Sequence, residues 1–190
     1  MNSDTIDIKL ISTEDVLQLL TLSRQTFTET FTAYNIEADL KKYSDFAFTR
    51  EKLLAEVNHP HSQLYFATFH NQPIGYLKIN YAPAQTDLHD ENSLEIERIY
   101  VLQEYHNKGI GKLLLDKAII IAKQSDVMYV WLGVWEKSLK AILFYWRNGF
   151  VPFATHLFIL GDDKQTDILM RLALTHYTQN DSAVIADEQQ

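Results

Sequence analysis

A strand that leads through a two-glycine turn into a long helix constrains the fold of this chain more than any other feature. The sequence predicts the strand over residues 94–102, and an apolar stripe at helical spacing predicts the helix over residues 109–123. Gly109 and Gly111 let the backbone come close to a ligand. The first helical amides offer unpaired hydrogens at the positive end of the helix dipole. The run therefore predicts an anion site suited to a pyrophosphate, with Lys108 beside it.

Other phosphate-binding motifs fit this turn less well. A Walker loop needs four residues between its glycines and a Gly-Lys-Ser/Thr ending, which the chain lacks. A dinucleotide-binding fingerprint needs a third glycine, and Leu114 stands at that position. A purely structural role of Gly109 and Gly111 in tight helix–strand packing stays open at this point.

In the rest of the chain, segments with the hydrophobic spacing of strands alternate with segments that have the hydrophobic spacing of helices. Further strands are predicted over residues 6–11, 63–70, 74–81, 127–134, 150–160 and 166–174. Further helices are predicted over residues 13–33, 137–148 and 36–57, the last interrupted near Phe48 and Thr49. We therefore expect an α/β fold with a mixed central sheet of about seven strands flanked by about four helices. A single domain is expected over residues 1–174, followed by a loose polar tail over residues 175–190.

Composition narrows the possible functions. The chain has 190 residues, of which 46% are hydrophobic, enough for one ordinary core. The absence of cysteine excludes disulfides, thiolate metal sites and a cysteine nucleophile, and no histidine cluster has metal-ligand spacing. A formal net charge of −8 argues against a nucleic-acid partner and favours a cationic ligand. Because no signal peptide and no apolar run of about 18 residues is found, we predict a cytoplasmic protein without membrane contact.

Residues 94–151 resemble the GNAT superfamily of acetyl-CoA-dependent N-acetyltransferases. The family signature, Gln/Arg-x-x-Gly-x-Gly/Ala, stands here as His106-Asn107-Lys108-Gly109-Ile110-Gly111, with histidine at the first position. The resemblance implies that the backbone of Ile99, Tyr100 and Val101 binds the pantetheine arm of acetyl-CoA. It also implies that the pyrophosphate is bound by His106, Asn107, Lys108, Gly109, Ile110, Gly111 and Lys112.

A second GNAT-like motif covers residues 135–150. The family pattern is Asn-x-x-Ala, a tyrosine four residues later and then Gly-Phe; here Ser138 replaces the asparagine, while Ala141, Tyr145 and Gly149-Phe150 match. Serine is a good helix cap, and the resemblance implies that Ser138 contacts the cofactor. It further implies that Tyr145 lies at the cofactor sulfur and protonates the leaving thiolate, which suits a phenol with a pKa of about 10.

Amine acetylation needs a base, because an alkylammonium group with a pKa of about 10 is almost wholly protonated at pH 7. Glu95 and Glu97 lie on one face of the predicted strand, since they are two residues apart. We predict Glu97 as the general base, as in related polyamine acetyltransferases, with Glu95 as the alternative. Both are predicted to bind substrate together with Trp135 and Glu29. A structural role in a salt bridge with Arg98 stays open.

Three runs narrow the resemblance to bacterial spermidine/spermine N-acetyltransferases of the PaiA type: residues 93–100, 129–137 and 161–167. The resemblance implies a small polycation as substrate, acetylated on a primary amine by direct transfer in a ternary complex without a metal. Two alternatives stay open: an acetyltransferase of protein or peptide amines, and a non-catalytic acyl-CoA-binding regulator. A homodimer is a further expectation.

Overall fold

The computed structural model describes residues 5–32, 36–160 and 163–175, and these contain one seven-stranded sheet. Its strands are β1 (Ile6–Leu10), β2 (Ser62–Phe69), β3 (Gln72–Asn80), β4 (Ser93–Val101), β5 (Tyr129–Trp135), β6 (Val151–Leu160) and β7 (Asp163–Ala173). Their order across the sheet is β1-β2-β3-β4-β5-β7-β6. Neighbouring strands are antiparallel except β4 and β5, which are parallel. The predicted mixed central sheet is confirmed.

Five α-helices accompany the sheet in the described part of the chain: α1 (Val16–Phe31), α2 (Glu37–Ala47), α3 (Arg50–Val57), α4 (Ile110–Gln124) and α5 (Leu139–Arg147). The sequence predicts about four, because one predicted helix covers both α2 and α3. The backbone leaves the helical region at Phe48 (φ −110°, ψ 79°). Thr49 then caps α3 by accepting a hydrogen bond from the Lys52 amide at 3.2 Å. None of the five is both long and apolar enough to cross a bilayer.

The hydrophobic core includes the region where α4 covers β3 and β4. The side chains that meet there are almost fully buried: Leu77 and Ile79 of β3, Leu94 and Ile96 of β4, and Leu114, Leu115 and Ala118 of α4. Each such leucine or isoleucine stabilises the fold by about 1.5–3 kcal/mol. Leu113, a member of the predicted stripe, is 42% exposed and does not join this core.

β4 and β5 separate shortly after they meet. They pair at three positions only, and the last of these joins Glu95 to Trp131. Beyond that point β4 stays paired with β3 as far as Val101, and β5 stays paired with β7 as far as Trp135. The two strands therefore enclose an opening in the sheet past Glu95, which we call the β4–β5 gap.

Parts of two predictions lie outside the described residues. Gly161 and Asp162 belong to the third run of the PaiA-type resemblance, and of the predicted tail 175–190 only Thr175 is described. The single-domain boundary at residue 174 stays a prediction.

Candidate active site

The two-glycine turn has a backbone conformation suited to a bound anion. Asn107 (φ 62°) and Gly109 (φ 81°) lie in the left-handed region, and Gly109 directly precedes α4. The first hydrogen bond of the helix runs from the Leu113 amide to the Gly109 carbonyl at 3.1 Å, so the amides of residues 110–112 precede it. Gly109 is exposed, and a Cβ atom on it would meet nothing within 4 Å. A phosphate can therefore approach this turn from solvent.

Three polar side chains around the turn contact other groups of the protein. His106 Nε2 lies 2.8 Å from the Val101 carbonyl oxygen and joins the turn to the end of β4. Lys108 Nζ lies 4.8 Å from the centre of a neighbouring tyrosine ring, and Lys112 pairs with Asp116 one turn along α4. This geometry favours phosphate binding by the backbone over binding by the His106 side chain.

β4 provides a half-buried strand edge along the gap. Ile99, Tyr100 and Val101, predicted to bind the pantetheine arm, pair with β3 on the side away from β5. Gly75 of β3 permits this pairing, because a Cβ atom there would lie 2.8 Å from the Tyr100 carbonyl oxygen. The backbone edge of β4 that faces β5 suits a ligand with amide groups, because such a ligand can form hydrogen bonds to this edge as an added strand would.

Tyr145 projects from α5 into the interior. Its side chain is buried, and its ring centre lies 5.1 Å from that of Phe144 and 5.7 Å from that of Phe150. Burial raises its pKa well above the ordinary value of a tyrosine. Burial also raises the pKa of Tyr100 on β4, and Tyr100 packs against the hydrophobic core that contains Tyr145. The structure thus places a protonated phenol of α5 in the core against which β4 packs.

Three other predicted residues lie around this region. Ser138 precedes α5, as predicted, but its hydroxyl makes no cap hydrogen bond. Glu29 of α1 accepts a hydrogen bond from the Gln103 amide at 2.8 Å, which ties α1 to the segment after β4. Trp135 is buried at the end of β5, with its ring centre 6.0 Å from that of Phe31. Of the three, Trp135 borders the gap, whereas the Glu29 carboxylate is engaged in holding the backbone.

Glu97 belongs to a network of charges formed by α3, β3 and β4. A β-bulge leaves it without a paired residue on β3 and beside Arg98. One carboxylate oxygen lies 2.7 Å from Arg98 Nη2, and the other lies 2.7 Å from Lys78 Nζ and 2.6 Å from Asn80 Nδ2. Glu56 of α3 binds the same two cations. Burial would raise the pKa of Glu97, but Arg98 and Lys78 outweigh it and hold this pKa below that of an ordinary glutamate.

Glu95 has different surroundings, at the point where β4 and β5 separate. It is 2% exposed and accepts hydrogen bonds from the Asn80 side chain at 2.8 Å and from the Thr86 amide at 3.0 Å. The Thr86 hydroxyl also donates to it. No lysine or arginine pairs with Glu95 in the described part of the chain. Burial raises its pKa, and the charge of Glu97 adds to the rise.

The sequence analysis left a salt bridge with Arg98 open, which Glu97 forms, but it missed Lys78 and Asn80 as partners, although a signal was present. Lys78 and Asn80 interrupt the apolar run of the predicted strand 74–81. A buried polar side chain in such a strand needs a partner, since leaving it unpaired costs stability. The identity of the partner depends on the register between β3 and β4, which the spacing within one strand does not determine.

Comparison with known proteins agrees with the family resemblance. The family model described as acetyltransferase (GNAT) family matches residues 18–150. An uncharacterized N-acetyltransferase from Lactobacillus delbrueckii subsp. lactis is 37% identical over 169 residues, which are 89% of this chain and 98% of that protein. A spermidine N(1)-acetyltransferase from Thermoplasma acidophilum is 27% identical over 150 residues, covering 77% of this chain and 88% of that protein.

Solved structures share the fold. A PaiA N-acetyltransferase from Thermoplasma acidophilum in complex with coenzyme A has a TM-score of 0.75 at 24% identity, covering 90% of this chain and 99% of that one. A GCN5-related N-acetyltransferase from Rhodopseudomonas palustris has a TM-score of 0.72 at 16% identity, covering 92% and 99%. The GNAT-like fold and the PaiA-type resemblance are thereby confirmed. The chain belongs to the acetyltransferase (GNAT) family and is an N-acetyltransferase that uses acetyl-CoA as its acetyl donor.

Proposed function

We propose that this protein transfers the acetyl group of acetyl-CoA to a primary amine of a small polycation, with spermidine and spermine as the favoured substrates. The observation that carries the proposal is the β4–β5 gap, with the buried glutamate Glu95 where the strands separate and the buried phenol of Tyr145 in the core against which β4 packs. A relative named spermidine N(1)-acetyltransferase supports a polyamine substrate. The net charge of −8 supports it as well, since the summed field attracts cations.

Acetyl-CoA, which supplies the activated acetyl group, would be held mainly by backbone groups. The amides of residues 110–112 suit its pyrophosphate, and the edge of β4 at Ile99, Tyr100 and Val101 suits the amides of its pantetheine arm. Lys108 stands beside the turn on the exposed surface, where a cation favours phosphate further.

The transfer is proposed to occur directly, in a ternary complex. The substrate ammonium group loses a proton to a glutamate of β4, and the neutral nitrogen bonds to the thioester carbonyl carbon. A backbone amide near Val101 is the proposed hydrogen-bond donor to the oxyanion. As the carbon–sulfur bond breaks, Tyr145 donates its proton to the sulfur. The attacking nitrogen loses its second proton as the amide forms, and this proton restores the Tyr145 phenol, while the glutamate returns the first proton to solvent.

The contacts favour Glu95 over Glu97 as the proton acceptor, in the reverse of the order predicted from the sequence. Both oxygens of Glu97 already contact cations, and its lowered pKa makes it a weak base. Glu95 has a raised pKa and no cationic partner in the described ranges. We therefore assign proton transfer to Glu95 and a positioning role to Glu97, which holds Asn80 and Arg98 in place.

Release of coenzyme A across an amine panel tests the substrate class. The panel contains spermine, spermidine, putrescine, a lysine peptide and an aminoglycoside. We expect saturable turnover with spermidine or spermine, at a kcat/KM roughly tenfold or more above that of the peptide, about 1.4 kcal/mol of discrimination. Faster turnover of the peptide would support a protein-amine acetyltransferase instead. Coenzyme A binding with no turnover of any amine would support the non-catalytic regulator.

A variant of the proposed acid tests the mechanism. Tyr145→Phe should lower kcat by about 100-fold while the dissociation constant of coenzyme A changes less than about twofold, because only a proton donor is removed. Tyr105→Phe is the matched control, since Tyr105 lies near the turn but has no proposed chemical role. Equal kcat values for the two variants would remove Tyr145 from the mechanism.

Two expectations about the working protein are also proposals. The cytoplasm is the proposed location, because acetyl-CoA for such transfers is an intracellular metabolite, and cell fractionation with immunoblotting tests this. A homodimer is the proposed assembly, and sedimentation velocity at several protein concentrations tests it.

A further inference from the structure

Acidic side chains on the β5–β7 side of the gap are not neutralised by lysine or arginine. His156 of β6 and Asp167 of β7 are register partners, and His156 Nδ1 lies 3.7 Å from Asp87 Oδ2. Among the residues that the structure describes, neither aspartate forms an ion pair with a lysine or arginine. The β4 side is different, because Glu56 and Glu97 each contact two cations there. The two sides of the gap therefore differ: lysine and arginine pair with the carboxylates of the β4 side, whereas His156 lies beside Asp87 and opposes the rise that burial causes in the pKa of Asp167.

Gly133 presents no side chain next to the Asp167 carboxylate. It is exposed in the middle of β5, although Leu132 and Val134 on either side of it are buried. A Cβ atom on Gly133 would lie 3.5 Å from Asp167 Oδ2 and 3.6 Å from Leu169. The missing side chain thus lets a ligand reach this half-buried carboxylate across the strand.

The pairing of β7 with β5 places Asp167 beside the gap, opposite Trp135. Burial raises the pKa of Tyr43 on α2; Arg98 opposes this rise, and the charges of Glu97 and Asp167 add to it. Trp135, the register partner of Asp167, packs near Phe31 of α1. Aromatic side chains and carboxylates around one space suit a ligand with ammonium groups on an apolar stem.

On the basis of the proposed function, we propose that Asp167 binds the second ammonium group of a di- or polyamine while another amine is acetylated in the gap, and that this contact makes the enzyme prefer polycations to monoamines. A hydrogen bond between an ammonium group and a carboxylate is charge-assisted, and it is stronger in a half-buried site than in bulk water. A monoamine has no second cation for this site, so Asp167 contributes specificity rather than chemistry.

The test compares spermidine with propylamine for wild type and Asp167→Asn, an isosteric change that removes the charge. We expect the ratio of kcat/KM for spermidine to kcat/KM for propylamine to fall roughly tenfold. Gly133→Ala, which places a methyl group beside the carboxylate, should lower the same ratio. Asp7→Asn removes an equal charge from an exposed position on β1, an edge strand that four strands separate from β7, and should leave the ratio unchanged.

A ratio within about twofold of wild type in Asp167→Asn, or equal losses with both amines, would overturn the assignment of Asp167. Failure of the proposed function has a different signature: wild type would acetylate no amine. In that case, calorimetry of spermidine binding to the coenzyme A complex still tests whether Asp167 binds an ammonium group. Weaker binding by Asp167→Asn than by Asp7→Asn would support it, and equal binding would overturn it.

Discussion

Glu95 and Glu97 are separated by one residue on β4, yet they bind protons with different strength. Glu97 contacts Arg98 and Lys78, which hold its pKa down, while Glu95 is buried among neutral donors, and burial holds its pKa up. The bulge in β4 contributes to this difference, because it places Glu97 and Arg98 beside each other. The different partners thus give two carboxylates on one strand different pKa values.

This difference predicts the acidic limb of the pH–rate profile. A base must be deprotonated, so kcat/KM should fall as pH drops through the raised pKa of Glu95, above the ordinary glutamate value of about 4.3. Glu95→Gln should lower kcat/KM by about 100-fold and abolish that limb. Glu97→Gln is the matched control and should retain it. If the acidic limb disappears only in Glu97→Gln, Glu97 and not Glu95 is the base.

A glycine on β3 predicts a loss of stability when a side chain is added. In Gly75→Ala the new Cβ would lie 2.8 Å from the Tyr100 carbonyl oxygen, so the β3–β4 pairing must shift. We expect the free energy of unfolding to fall by about 2 kcal/mol in urea titration. Gly111→Ala is the control, because its Cβ would meet Phe144 at an ordinary 3.8 Å. Comparable losses in the two variants would contradict the steric explanation.

At the scale of elements, the turn before α4 combines a glycine with left-handed backbone and a run of helical amides. The strand, the turn and the helix are contiguous in the chain, so local pattern was enough to predict them. The final strands show the opposite case. β6 and β7 form the antiparallel hairpin that their adjacency in the chain favours. However, it is β7 and not β6 that pairs with β5, and this order is set by packing between distant segments.

The left-handed backbone of Gly109 can be tested by comparing alanine with asparagine. Gly109→Ala should destabilise the protein by about 1 kcal/mol and weaken coenzyme A binding, because a Cβ atom is strained at φ 81° and the amides of the turn shift. Gly109→Asn should cost less, since asparagine tolerates this region better. Urea unfolding and calorimetry with coenzyme A measure both effects. Identical behaviour of the two variants would show that strain at residue 109 is unimportant.

At the scale of the whole molecule, the charge network joins helix α3 to two strands. Glu56 of α3 binds Lys78 of β3 and Arg98 of β4, and Glu97 closes the network. All four side chains are at most 20% exposed. Removing one member of such a set leaves buried charges without partners, which costs more than the loss of a surface pair.

Arg98→Met should therefore lower the free energy of unfolding by about 3 kcal/mol or more. Lys41→Met, which breaks an exposed pair with Asp45, should lower it by about 0.5 kcal/mol or less. The pKa of Glu97 is lowered in the folded state, so its stabilisation is present above about pH 4.3 and is lost as pH falls through the folded pKa. The difference between wild type and Arg98→Met should narrow in acid, and a constant difference from pH 7 to pH 3 would contradict this account.

The sequence by itself determined the elements whose signals are local: the mixed α/β class, the turn at Gly109, the helix that carries Tyr145, and the family. Tertiary structure decided what depends on residues distant in the chain. It separated β4 from β5 past Glu95, placed Asp167 beside Gly133, and gave Glu97 rather than Glu95 the cations. The physical reason is that propensity and periodicity act within a few residues, whereas strand register and the pKa of a buried carboxylate depend on groups brought together only by folding.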